Sequence, residues 1–136
     1  MIVVLDTSVA IKWFVDEPGP SREQALIVLD QVKLNPTGFA VPELFFNEIL
    51  AVLCRVVGHA DEIKTYIGIL GELGLERIAN GRGLLCAAAE IAKRYKVSGY
   101  DAVFAATAQL ISGSWLTADD VAVKKLRGSG LARLLF

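Results

Sequence analysis

Apolar positions along this chain fall into short continuous runs and longer helical repeats. Met1–Leu5 (MIVVL) is a β-branched run and predicts a strand buried on both faces. Ser8–Phe14 predicts a short helix, closed by the break Glu17-Pro18-Gly19-Pro20. Ser21 is expected to cap a second helix, with Gln24 completing a capping box. That helix runs to about Lys33, with Leu26, Leu29 and Val32 at core spacing. Asn35–Gly38 reads as a loop and Phe39–Val41 as a brief strand. Pro42 suits the first turn of a helix reaching about Val57, apolar nearly all round and therefore expected to be buried. Asp61 is expected to cap a helix over Glu62–Leu73, and Leu75–Ile78 predicts a strand. Helices follow over Gly83–Tyr95 and Ser98–Leu110, then a strand over Trp115–Thr117. A short helix from Asp119 or Asp120 to Leu126 and a strand over Leu131–Leu135 close the chain. Strands alternating with helices predict an α/β fold with a mainly parallel sheet.

Composition narrows the class. The 136 residues suit one domain, and 54% hydrophobic against 21% charged excludes a disordered segment. Mean hydropathy is +0.48, which raises the question of a membrane span. A span needs about 18–20 nearly uncharged residues, and the most apolar stretch, Ala40–Gly58, is broken by Glu43, Asn47, Glu48 and Arg55. Met1–Leu5 runs into Asp6 without a basic leader, so no export signal is expected. The apolar excess then points to elements buried on both faces or to an oligomer surface. Cys54 and Cys86 lie in apolar helical contexts without metal-ligand spacing and are expected in the core; a cytoplasmic location follows by default. His59, the single histidine, is expected in a surface loop, which disfavours histidine-based catalysis.

The formal net charge of -1 provides no global basic field for nucleic acid. The placement of four acids says more. Asp6 ends the buried strand; Glu48 has Leu44, Phe45, Ala51 and Val52 three and four positions away; Asp101 has Val97, Phe104 and Ala105; Asp119 follows Trp115-Leu116-Thr117. Carboxylates in such surroundings are costly unless paired or bound to a metal. In a βαβ arrangement, Asp6, Asp101 and Asp119 share the edge where α/β folds bind ligands. Glu48 begins about 9 Å below that edge but reaches back towards it. Four oxygen donors without imidazole or thiolate suit Mg²⁺ or Mn²⁺. Thr7, Ser8 and Thr117 flank the acids and can orient them by hydrogen bonds. Each acid also has a plain structural role available. Asp6 and Asp119 (or Asp120) can cap helices, Asp101 can pair with Ser98 in a capping box, and Glu48 can meet Arg55 two turns on.

Leu5-Asp6-Thr7-Ser8, Asn47-Glu48, Gly99-Tyr100-Asp101-Ala102 and Leu116-Thr117-Ala118-Asp119 resemble the four acidic motifs of PIN-domain nucleases. The opening MIVVLDTSV and the run YDAVFAATA are similar to VapC-type toxins of prokaryotic toxin–antitoxin pairs. The resemblance covers essentially the whole chain. It implies a three-layer α/β/α sandwich, a Mg²⁺- or Mn²⁺-dependent endoribonuclease, homodimers, and inhibition by a small antitoxin whose tail enters the site. It makes Asp6, Glu48, Asp101 and Asp119 the metal-binding acids, with the adjacent Asp120 leaving the last assignment open. Trp115 stands where the family more often has a smaller aliphatic residue, expected to affect packing rather than chemistry.

RNA contact needs a positive rim. Lys12, Arg82, Lys124, Lys125 and Arg127 are candidates, each with solvated surface charge as the plain alternative. Trp13 could stack on a base, but its IKWF setting favours core or dimer surface. Setting the four acids aside leaves 11 of the 15 acids against 14 basic residues, a weakly basic remainder. The alternative function is a metal- or nucleic-acid-binding partner module without turnover. A phosphatase is disfavoured because Asp6-Thr7-Ser8 lacks a second nearby acid to donate a proton.

Overall fold

Val3–Leu5 (β1) lies at the centre of a five-stranded sheet with Phe39–Pro42 (β2), Glu76–Ile78 (β3), Ser114–Thr117 (β4) and Ala132–Leu134 (β5). The order is β3-β2-β1-β4-β5, and every neighbouring pair is parallel. The computed structural model describes residues 1–15 and 20–135. The Glu17-Pro18-Gly19 part of the expected break lies outside the described residues. The helices are Thr7–Ala10 (α1), Pro20–Leu34 (α2), Leu44–Val56 (α3), Ala60–Glu72 (α4), Arg82–Tyr95 (α5), Gly99–Leu110 (α6) and Asp120–Lys125 (α7). Right-handed crossovers put α1–α4 on one face of the sheet and α5–α7 on the other, an α/β/α sandwich. The strand order reverses at the β1–β4 boundary, the switch point at which such sheets open a crevice beyond the strand C-termini.

The central strands are buried, but β1 is shorter than the MIVVL run predicts: it begins at Val3, which is half-buried, and Met1 is 93% exposed. Val4, Leu5, Val41 and Trp115 carry little or no exposed surface. Gly113 permits the close approach that starts β4. A Cβ there would sit 2.3 Å from the Ile2 carbonyl oxygen, which instead accepts a hydrogen bond from Ser114 N at 3.1 Å.

Several local expectations need correction. Pro42 ends β2 rather than opening α3, paired with Ile78 beyond the β1 partners of that strand, where its missing N–H costs no ladder bond. Ser21 lies inside α2, which begins at Pro20. Its core stripe is Ala25, Val28 and Val32, with Leu26 and Leu29 half-buried. His59 is the N-cap residue of α4, and Asp61 stands in the first turn, where its charge complements the helix dipole. The helix read as buried all round, α3, buries only Phe45, Ile49 and Leu53, and leaves Leu50 and Val56 43% and 50% exposed. Cys54 and Cys86 are exposed rather than in the core. Trp13 is a core residue, its indole N–H donating to the Ala25 carbonyl at 2.8 Å. No helix among the described residues is long and apolar enough to cross a membrane.

Candidate active site

Asp6 leaves β1 at the switch point and turns the chain into α1. Its carboxylate caps that helix, Oδ2 accepting from Ser8 N at 3.1 Å. The same oxygen accepts from the Thr117 hydroxyl at 3.1 Å, and Oδ1 accepts from the Trp115 indole N–H at 3.2 Å. Trp115 and Thr117 are two residues apart on β4 and therefore share a face, and the β1–β4 register aims that face at Asp6. Ser8 completes the cluster. Its Oγ accepts from Ala118 N at 3.0 Å and lies 3.3 Å from Thr117 Oγ1. Asp6 is only 9% exposed. Burial pushes its carboxyl above the usual range, against the hydrogen bonds of Ser8, Thr117 and Trp115.

Glu48 comes from the second turn of α3, and its Oε1 accepts from the Thr7 hydroxyl at 2.8 Å. The expected partner Arg55 lines the same cleft without pairing to it among the described residues. Desolvation raises the Glu48 carboxyl, the Thr7 bond opposes this, and the charges of Asp6 and Asp101 raise it further. Asp101 stands in the first turn of α6, where its backbone N–H donates to the capping Ser98 hydroxyl at 3.0 Å. Burial raises its carboxyl first, then the charges of Asp6 and Asp119, while Ser98 and Lys125 lower it.

These three acids line one cleft of about 440 Å³ with Lys12 and Arg55, against an apolar wall that includes Ile11, Val15 and Val52. Asp119 is different. It is exposed and caps α7, Oδ1 accepting from Val121 N at 3.0 Å and Ala122 N at 3.2 Å. It acts on Asp101 through its charge but does not line the cleft. Asp120 is turned to Lys124, 2.8 Å away. The plain capping roles of Asp6 and Asp119 and the capping of α6 by Ser98 thus coexist with the clustering.

The basic residues separate in the same way. Lys12 lines the cleft and Lys125 acts on Asp101. Lys124 is engaged by Asp120, Arg82 opens α5 behind the edge strand β3, and Arg127 is exposed past α7; none of these three lines the cleft. Two residues have roles that the sequence pattern does not assign them: Arg55 lines the cleft, and Trp115, outside the cleft lining, bonds to Asp6. The sequence offers Arg55 only as a partner for Glu48. The pattern offers Trp115 as packing, although its two-residue spacing from Thr117 puts both on the face that meets Asp6.

Among the described residues no three acids converge closely enough to form a ready-made metal cage. The donor set nonetheless suits a hard cation that keeps most of its waters, because such an ion takes only one or two direct carboxylates. Glu48 and Asp101 repel Asp6 within one cleft, and the ion pairs among the described residues, Lys64–Asp61 and Lys124–Asp120, do not neutralise them.

The PIN-domain family model matches residues 3–127. A toxin–antitoxin complex from Klebsiella pneumoniae has a similar chain, with TM-score 0.73 and 15% identity over 98% of both chains. VapBC2 from Rickettsia felis, bound to a DNA fragment from its promoter, matches with TM-score 0.74 and 13% identity over 98% of both. VapBC-5 from Mycobacterium tuberculosis matches with TM-score 0.61 and 19% identity over 98% of this chain and 96% of that one. No curated protein matches at the sequence level.

Proposed function

The chain belongs to the PIN-domain family, and from that premise we propose that it is a divalent-metal-dependent endoribonuclease, the toxin of a VapBC-type toxin–antitoxin pair acting in the cytoplasm. The observation that carries the proposal is the convergence of Asp6, Glu48 and Asp101 on one cleft at the sheet's switch point, with Glu48 and Asp101 each under the field of Asp6. These acids would hold Mg²⁺ or Mn²⁺, with Asp119 at the rim. Bound there, the cation supplies Lewis-acid stabilisation of a phosphodiester and activation of water.

The chain's own groups prepare the site. Thr7 holds Glu48 towards the cleft, while Ser8 and Thr117 fix the Asp6 carboxylate. Lys12, Arg55 and Lys125 supply positive charge beside the acids for RNA phosphates. Arg82, Lys124 and Arg127 would contact only RNA reaching beyond the cleft.

The Klebsiella and Rickettsia structures are toxin–antitoxin assemblies, which supports a small antitoxin protein as partner. The exposed apolar side chains of α3 and α4, among them Leu50, Val56 and Ile67, support a homodimer.

Incubation of the purified protein with end-labelled RNA tests the reading. Cleavage should require added Mg²⁺ or Mn²⁺ and stop with EDTA. Protein that binds RNA but leaves every RNA uncut with metal present would instead be a silent binding module.

A further inference from the structure

Trp115 is buried to 1% exposure, and its one polar atom is satisfied by Asp6 Oδ1 at 3.2 Å. The indole also stacks on Phe104, with ring centroids 5.7 Å apart and planes at 24°. Phe104 lies three residues after Asp101 on α6, so the two share a helix face. The indole therefore spans the interval between two of the acids, bonded to one and packed against the helix that carries the other. An aliphatic side chain at position 115 has no N–H to offer.

The hydrogen-bond inventory shows what this bond does. Oδ2 of Asp6 already accepts from Ser8 N and Thr117 Oγ1, which occupies both of its lone pairs. Oδ1 accepts from Trp115 alone and keeps one lone pair. The indole thus fixes which oxygen, and which direction of it, stays open to the cleft.

We propose that Trp115 is a positioning residue for cation binding: its indole N–H orients Asp6 Oδ1, and its ring on Phe104 holds the spacing between Asp6 and Asp101. The proposal rests on the metal-dependent reading above. Trp115 acts through Asp6 and touches neither cation nor RNA. The same contact makes it an optical reporter. With only two tryptophans in the chain, Trp13→Phe leaves Trp115 as the single indole, and Trp13 is remote in role, bonded to Ala25 O.

Two measurements test this together. Mg²⁺ titrated into Trp13→Phe protein should change the indole fluorescence saturably, at the affinity found by calorimetry. Trp115→Phe keeps an aromatic ring for Phe104 but loses the N–H, and should bind Mn²⁺ about tenfold more weakly by calorimetry, within the range for residues that orient metal ligands. Its circular dichroism should match wild type. Wild type that binds Mn²⁺ while Trp115→Phe binds it equally, or fluorescence blind to Mg²⁺, overturns the proposal and leaves the metal reading standing. Wild type without saturable Mn²⁺ binding overturns both.

Discussion

The Thr7 hydroxyl donates to Glu48 Oε1 across 2.8 Å, joining residues 41 positions apart in the chain. The bond ties the start of α1 to the second turn of α3 and so holds the one acid that comes from a helix interior. Thr7→Val keeps the shape and removes the donor. It should lower kcat for RNA cleavage about tenfold, the lower end for a residue that orients a metal ligand, while Thr7→Ser retains activity. Equal kcat in the valine and wild-type proteins would remove this role.

The raised carboxyls make a pH prediction. Asp6, Glu48 and Asp101 all bind protons more readily in the folded protein than their ordinary values imply. Their contribution to stability is therefore fully present below the unfolded-state values, near 4, and is lost as pH rises through the raised ones. In metal-free protein, Asp6→Asn should gain stability relative to wild type between pH 4 and pH 8. Thermal unfolding in EDTA across that range checks it. A difference that moves towards wild type with rising pH would contradict the assignment.

Arg55 lines the cleft and Arg82 does not. Arg55→Ala should weaken RNA binding for all sequences alike and reduce the slope of log affinity against log salt by about 1. Arg82→Ala should leave the slope of a short RNA unchanged. Fluorescence anisotropy at several salt concentrations separates the two, and equal slopes for wild type and Arg55→Ala would exclude a phosphate contact there.

The exposed apolar residues of α3 and α4 make the oligomeric state testable. Sedimentation should give a dimer at micromolar concentration, and Leu50→Glu should shift it towards monomer by placing a charge in the contact. A monomeric wild type would remove the dimer.

What was legible in the chain follows physical lines. MIVVL signals a doubly buried strand because β-branched residues without polar alternation have no solvent face. Asp6 at its end is conspicuous for the same reason. The apolar surroundings of Glu48 mark an acid kept from bulk water, and it is half-buried in the cleft. Apolar content alone does not distinguish core from exposed face: it predicts α3 enclosed and Cys54 buried, whereas Leu50, Cys54 and Val56 are exposed. Capping does not reveal distance. Asp119 caps α7 as its position suggests, yet does not line the cleft. A hydrophobicity pattern registers Trp115 as bulk; its N–H acquires meaning only when β4 lies beside β1.

RNA cleavage by Asp6→Asn and Asp101→Asn, measured beside wild type on one labelled RNA in Mn²⁺, tests the central claim most directly. With folding verified by circular dichroism, both variants should lose cleavage by a hundredfold or more, on the order expected for removing a transition-state electrostatic contribution. Cleavage at the wild-type rate in both folded variants would contradict an active site built on these acids.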